Sequence, residues 1–212
     1  MHILGPSGPE RRADGSIANT ARLLAPGGGI GVQEKIIMTP FEHDWGVTGG
    51  GPLRMFETAL GPIGVLICYD SEFPLLARAL VTAGARLLLV PSCTERVSGF
   101  NRVRTAALAR ALEGTIATVQ SPTVGNAPWS PAVDVNAGAA GIYVPAEAGM
   151  SDDGVLAQGP LNAPQLVDAE IDFARLTRLR TAGEMRNVAD WRLQPGADAA
   201  APMVERIDLR AP

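Results

Sequence analysis

Cysteine, histidine and lysine are scarce in this 212-residue chain. Two cysteines, Cys68 and Cys93, cannot build a disulfide framework, and with only two histidines they are too few for a zinc cluster. We therefore expect a reducing compartment and no metal or other cofactor. The 18 basic residues comprise 17 arginines and a single lysine, Lys35. A lysine kept in a chain that otherwise uses arginine is a candidate for a specific chemical task.

Long apolar runs and an excess of positive charge are also missing. No stretch reaches about 18 uncharged apolar residues, since Arg78 and Arg86 interrupt the most hydrophobic part, and the first residues hold no apolar region of the signal-peptide kind. The net charge is −4, whereas a nucleic-acid binder usually carries a basic face. These absences predict a cytoplasmic protein that binds neither membrane nor nucleic acid.

The composition is that of a folded domain. Apolar residues make up 46% of the chain, and its 24 glycines and 17 prolines stay below the roughly 25–30% typical of disordered chains. We expect one domain over residues 1–192. An alanine- and proline-rich tail, 193–212, has no assigned structure.

The first half of the sequence predicts strands separated by glycine and proline. Strands over 16–24 and 30–38 flank the turn sequence APGGG, whose glycines can supply the positive φ of a tight hairpin. A second hairpin is predicted over 53–58 and 62–68. Between the two hairpins lies a loop, PFEHDWGVTGGGP, rich in turn residues.

From Cys68 onward, predicted strands and helices alternate. Pro74 suits the first position of a helix that Gly84 can end, and the apolar run 86–90 is typical of a strand covered on both faces. Further elements are predicted as helices over 103–112 and 173–180, and as strands over 115–120, 138–144 and 165–171. Interleaved strands and helices predict an α/β layered fold.

Cys68 is the first candidate for chemistry. It ends an apolar strand shortly before a helix, where the helix dipole would lower the pKa of a thiol and favour the nucleophilic thiolate. The alternative is a small buried hydrophobic residue, as many free cysteines are. Cys93 also follows a strand, but no helix begins directly after it, so we expect it in the core or in a pocket wall.

Lys35 is the second candidate. Its sequence context, EKIIM, is apolar, where a cation without a task would be costly. An ammonium is a compact charge that can stabilise a developing oxyanion. The alternative is a lysine retained by chance on an exposed strand face.

Charged residues also lie near these two candidates in the sequence. Glu42 follows the lysine by seven positions and could hold the ammonium or act as a general base, or simply be an exposed loop residue. His43 is expected to be a solvated loop residue rather than the base of a Cys–His pair. Asp70, Glu72 and Arg78 are expected to orient the cysteine segment through ion pairs.

Three segments resemble the nitrilase superfamily of carbon–nitrogen hydrolases: EKIIMTPFEHDWG, GPIGVLICYDSEFPLLAR and VPSCTERVSGFNRVRTAALARALEG. The resemblance runs from about Leu4 to Trp191 and is closest to amidase-like branches whose cysteine motif reads CYDSEFP. It implies an α-β-β-α sandwich. It also implies homodimers or larger homo-oligomers that pair through the helices following the cysteine and the lysine.

By this resemblance, Cys68 would attack a small amide, nitrile or carbamoyl carbon to form a thioester that water then hydrolyses. Lys35 and the backbone N–H of Tyr69 would stabilise the oxyanion, and Glu42 would position Lys35. Cys93 would belong to the pocket wall.

Two further residues are candidates for that pocket. Asn126 and Trp129, in VGNAPWSPAVD, are expected to line it, although a loop tryptophan is as often simple packing. Which substrate the pocket accepts is not predicted.

One element of the family pattern has no match. The family's general-base glutamate ends an early strand, and Glu10 lies beyond that place, so we expect roughly two strand–helix units, on the order of 60 residues, to be missing before Leu4. Two hypotheses result. The chain is a thiol-dependent C–N hydrolase, or it is a catalytically impaired fragment or paralogue that serves as a structural, oligomeric partner.

Overall fold

The smaller of the two main β-sheets has four strands and is built from the first 34 residues. The computed structural model of the protein describes residues 1–210. The central strand of this sheet pairs antiparallel with the other three. The four strands are β1 (Ile3–Leu4), β2 (Gly8–Arg11), β3 (Ile17–Leu24) and β4 (Ile30–Glu34). The hairpin predicted around APGGG is confirmed as β3–β4.

The larger sheet has seven strands in the order β12-β11-β8-β7-β6-β5-β13. Strands β6, β7 and β8 run parallel, as do β5 and β13, and the remaining neighbours are antiparallel. Its strands are β5 (Leu53–Thr58), β6 (Gly61–Val65), β7 (Leu87–Ser92), β8 (Ala117–Pro122), β11 (Gly141–Tyr143), β12 (Val155–Gln158) and β13 (Val204–Asp208). A separate hairpin is formed by β9 (Gly125–Asn126) and β10 (Val135–Asn136).

Helices connect the strands of the larger sheet. They are α1 (Pro40–Asp44), α2 (Pro74–Ala83), α3 (Val97–Gly114), α4 (Phe173–Ala182) and α5 (Asn187–Asp190), with 3₁₀ turns at Cys68–Glu72 and Trp191–Leu193. Pro74 opens α2, and Gly84 ends it at φ 112°, a backbone conformation that favours glycine. No helix within residues 1–210 is long and apolar enough to cross a membrane.

The two sheets pack face to face through alternate side chains. Ala21 and Leu23 of β3 meet Phe56, Ile63 and Val65 of the larger sheet, all of them buried. The approach is close, because a Cβ placed on the β4 glycine at position 31 would lie 2.5 Å from the ring of Phe56.

The opposite face of the larger sheet is covered by helices. Leu76 and Leu80 of α2 pack with Met55, Leu66 and Leu88 in a second buried cluster. Helices, the larger sheet and the smaller sheet thus form three consecutive layers of the predicted sandwich. The predicted α/β class is confirmed.

Several predicted elements differ from the structure. The strand predicted over 62–68 ends at Val65, and the strand predicted over 138–144 is limited to Gly141–Tyr143. The strand predicted over 165–171 is wrong, since no strand occurs there and β12 instead pairs with β11 at that edge of the sheet. The strand predicted over 30–38 ends at Glu34, and the helix predicted over 103–112 extends over the whole of α3. The segment 193–212, left without a prediction, contributes β13, and its last two residues lie outside the described residues.

Candidate active site

Cys68 lies at a sharp turn directly after the buried residues Leu66 and Ile67 that follow β6. Its backbone has φ 51°, a region in which a non-glycine residue is strained and which is enriched at functional sites. The carbonyl of Cys68 accepts a hydrogen bond from Ser71 Oγ at 2.7 Å. Its Sγ lies 3.7 Å from the carbonyl oxygen of Cys93, to which it donates. The turn thus fixes the thiol at the end of the parallel strands β6 and β7.

The environment of Cys68 raises the pKa of its thiol. Burial is the largest cause, and the positive charge of Lys35 and hydrogen bonds with the backbone of Cys93 and Tyr69 offset it only in part. The expectation that a helix dipole lowers this pKa is therefore wrong. Cys68 begins only a single 3₁₀ turn, and α2 starts six residues later at Pro74.

Lys35 is buried directly after β4, with 3% of its surface exposed. Its Nζ forms an ion pair with Glu42 Oε2, and its backbone N–H donates to the carbonyl of Asn19 at 2.8 Å. A lysine on an exposed strand face is therefore excluded. The ammonium is dehydrated, paired and within electrostatic range of Cys68.

Glu42 is held by donors on both carboxylate oxygens. It is the third residue of α1, where Thr39 caps the helix and gives Glu42 Oε2 hydrogen bonds from its N–H at 2.9 Å and from its hydroxyl at 2.8 Å. Asn19 Nδ2 donates to Oε1 at 2.8 Å. Burial tends to raise the pKa of Glu42, but the hydrogen bonds from Lys35 and Asn19 outweigh it and lower that pKa. Glu42 is therefore a fixed anion suited to positioning Lys35 and poorly suited to accepting a proton.

Asp70 connects the cysteine turn to the lysine segment. Its carboxylate is 1% exposed, and its Oδ1 accepts hydrogen bonds from the N–H groups of Ile37 at 2.8 Å and Ile36 at 3.2 Å. Burial raises the pKa of Asp70 to about 6 in spite of these hydrogen bonds. The sequence predicted an ion pair for this residue, whereas the structure gives it backbone partners.

The other two charged residues of that set have partners on nearby helices. Glu72 pairs with Arg102 of α3 at 3.5 Å, and the Arg78 guanidinium lies 4.1 Å above the ring of Trp191. Each contact joins two neighbouring elements, and neither includes the thiol.

The predicted pocket residues occupy different places. Cys93 Sγ donates to Asn136 Oδ1 at 2.9 Å, and Cys93 lines a cleft of about 380 Å³ at the ends of β7 and β8. Asn126 is exposed in β9, and Trp129 is 81% exposed in the loop after it. Neither lines this cleft, so their pocket roles stay predictions. His43 is exposed on α1, as expected.

Several residues that build the site were not found from the sequence. The spacing of Thr39 and Glu42 around Pro40 is a capping-box pattern and was therefore detectable. Asn19 and Asn136 carry no such local signal, because their partners lie 23 and 43 positions away along the chain. Within residues 1–210 no three His, Cys, Asp or Glu side chains cluster as a metal site would require.

A strained, half-buried cysteine lies near a fixed ammonium at the strand ends of an α/β fold, an arrangement that can support acyl transfer to a thiol. Comparison with known proteins then gives the family. Residues 1–181 match the model of the carbon–nitrogen hydrolase family, and the chain belongs to that family.

Individual relatives agree with this assignment. A probable hydrolase of Bacillus subtilis, YhcX, is 38% identical over 180 residues, which cover 84% of this chain and 35% of that protein. The chain thus spans about a third of the length of this curated relative.

Solved structures show the same fold. A carbon–nitrogen hydrolase from Helicobacter pylori G27 superposes with a TM-score of 0.74 at 21% identity, covering 92% of this chain and 72% of that one. An amidase mutant from Nesterenkonia sp. AN1, with the acetamide moiety of fluoroacetamide added covalently to its active-site cysteine, gives 0.65 at 23% identity, covering 86% and 65%.

Proposed function

We propose that the chain is a hydrolase of small non-peptide amides that acts through a thioester on Cys68. The observation that carries the proposal is the convergence of the Cys68 thiol, the Lys35 ammonium and the Tyr69 N–H, with Glu42 fixing the ammonium. The amidase with a modified cysteine supports the same chemistry by analogy. Nitrile and carbamoyl substrates would enter by the same attack on carbon.

The reaction balances as two acyl transfers. The Cys68 thiol loses its proton, sulfur bonds to the carbonyl carbon, and the oxyanion is stabilised by Lys35 and the Tyr69 N–H. The C–N bond then breaks, and the leaving nitrogen departs as the amine with the proton that the thiol lost. Water attacks the thioester, releases the carboxylic acid and restores the thiol.

Two glutamates considered as acceptors of the thiol proton, Glu42 and Glu10, are both engaged in ion pairs. Glu42 is saturated with donors, and its pKa is lowered. Glu10 is occupied elsewhere, because it pairs with Arg22 at 2.5 Å on the exposed face of the small sheet. These observations favour a second candidate function, a family member that keeps the fold but hydrolyses slowly or not at all.

Acylation of Cys68 distinguishes the two candidates. The chain is incubated with butyramide and with a reactive acyl ester, and peptide mass mapping locates the acyl group while ammonia release reports turnover. The hydrolase proposal expects an acyl group on Cys68, little on Cys93, and none at this position in Cys68→Ala. Acylation of Cys68 by the ester without continued release of ammonia from butyramide would favour the impaired family member, and equal labelling of Cys93 would contradict the assignment of the nucleophile.

A further inference from the structure

We propose that Asp70 is a positioning residue that holds Lys35 in register with Cys68 across the two sheets. The inference rests on the proposed function, in which Lys35 stabilises negative charge at Cys68. Cys68 belongs to the larger sheet through β6, and Lys35 to the smaller sheet through β4. Their relative placement therefore depends on what joins the ends of these two strands.

Asp70 makes that connection within one turn of chain. It follows Cys68 by two residues in the same 3₁₀ turn, and its carboxylate receives the N–H groups of Ile36 and Ile37, the two residues after Lys35. These N–H groups would otherwise need partners, because β4 ends one residue before Lys35. The Asp70 carboxylate thus accepts the hydrogen bonds of the two N–H groups that lie beyond the end of the strand.

The chemistry of the contact fits a carboxylate better than its amide. Ile36 N lies 3.2 Å from both carboxylate oxygens, and Ile37 N lies 2.8 Å from Oδ1. An asparagine would offer one oxygen and turn an NH₂ group toward a donor. We therefore expect Asp70→Asn to loosen the segment that carries Lys35 while leaving the volume of the site unchanged.

The reactivity of the Cys68 thiol distinguishes a positioning role of Asp70 from a simple effect of its charge. Removal of a nearby negative charge alone would favour the thiolate and lower the pKa of Cys68. Displacement of Lys35 would have the opposite effect, because its positive charge stabilises the thiolate. Whether the pKa of Cys68 rises or falls in Asp70→Asn therefore identifies the role of Asp70.

The direction of this pKa change is measured by the rate at which iodoacetamide alkylates Cys68, followed by peptide mapping from pH 6 to 10. For Asp70→Asn we expect a higher thiol pKa and a rate at pH 7 lower by about three- to tenfold, since the thiolate is the reactive species. The matched control is Glu72→Gln, which removes a charge from the same turn but faces Arg102 and should alkylate as the unaltered chain does. Faster or unchanged alkylation in Asp70→Asn would overturn the proposal.

The unaltered protein provides a second test should the variant fail to fold. Amide hydrogen exchange of Ile36 and Ile37 is expected to be slower than in an unstructured peptide by at least about tenfold, since both N–H groups are bonded in a buried site. Exchange at the unstructured rate would contradict the proposed contact. Neither measurement requires turnover, so a chain that hydrolyses nothing still tests Asp70, whereas missing acylation bears only on the proposed function.

Discussion

Lys35 and Glu42 are two opposite charges buried together, and each makes the burial of the other tolerable. Removing one partner of such a pair leaves an uncompensated charge away from water, which is far more costly than losing a surface ion pair. Asn19 and Thr39 complete the carboxylate's hydrogen bonds. At the scale of the residue, the site is therefore a small polar network that joins Lys35, Glu42, Asn19 and Thr39.

Glu42→Gln is expected to destabilise the fold by about 3 kcal/mol, because it leaves the Lys35 ammonium buried without its counter-ion. Urea unfolding of the two proteins measures the difference. The matched control is Glu34→Gln, which breaks the half-buried ion pair with Arg12 at 2.6 Å and should cost at most about 1 kcal/mol. Equal costs for the two variants would mean that the buried pair has no special role in stability.

Asp70 is expected to make stability depend on pH between about 4 and 6. Its pKa is raised from 3.8 to about 6 in the folded chain, so the folded state binds the proton more tightly than the unfolded state. The corresponding stability is complete below about pH 4 and is lost as the pH rises through 6, by at most about 3 kcal/mol. The difference in unfolding free energy between the unaltered chain and Asp70→Asn, measured from pH 4 to 7, should change with this slope. A constant difference would contradict the raised pKa.

At the scale of the element, β13 shows how a segment with weak local signals is fixed by packing. It pairs in parallel with β5 over five residues, and Leu209, directly after it, is buried in the cluster between the sheets. The same cluster contains Phe56, whose ring lies against β4. The C-terminal segment thus closes one end of the core.

Leu209→Ala is expected to lower the unfolding free energy by about 2–4 kcal/mol, because it opens a cavity between the two sheets. Met203→Ala, just before β13, removes a side chain that is 90% exposed and serves as the control with little effect. The measurement is the urea midpoint of each variant. Identical midpoints would show that β13 does not contribute to the core in solution.

At the scale of the whole molecule, α2 and α3 present an uncovered surface. A groove of about 600 Å³ runs along α3 and is lined by Glu72, Ser98, Asn101, Arg102, Thr105, Ala106, Ala109 and Arg110. Leu75, Val97 and Leu112 of the same two helices are each more than 40% exposed. We propose that copies of the chain pair through this surface, consistent with the family resemblance.

Thr105→Arg is expected to weaken that pairing, because it places a long cation in the groove without touching the core. Sedimentation velocity of the unaltered chain should show a dimer or larger species, and the variant a smaller one at the same concentration. Leu166→Arg, at a position 90% exposed outside the two helices, is the control. A monomeric unaltered chain would contradict the proposal.

The sequence by itself determined most of the local elements and the candidates for the reacting groups. The hairpins around APGGG and at 53–68, and the helix from Pro74 to Gly84, follow from turn residues and side-chain periodicity that act over a few positions. Cys68 and Lys35 were identified by residue type, context and family motif. Such signals lie within short segments, so they can be recognised without knowledge of the fold.

Tertiary structure decided what surrounds those groups. The pKa of Cys68 is raised rather than lowered because burial outweighs the positive charge of Lys35. Asp70 binds N–H groups more than 30 positions earlier in the chain, and Asn19 binds Glu42 between β3 and α1. Desolvation and contacts between distant segments depend on which surfaces pack together, and no local pattern in a single sequence encodes that.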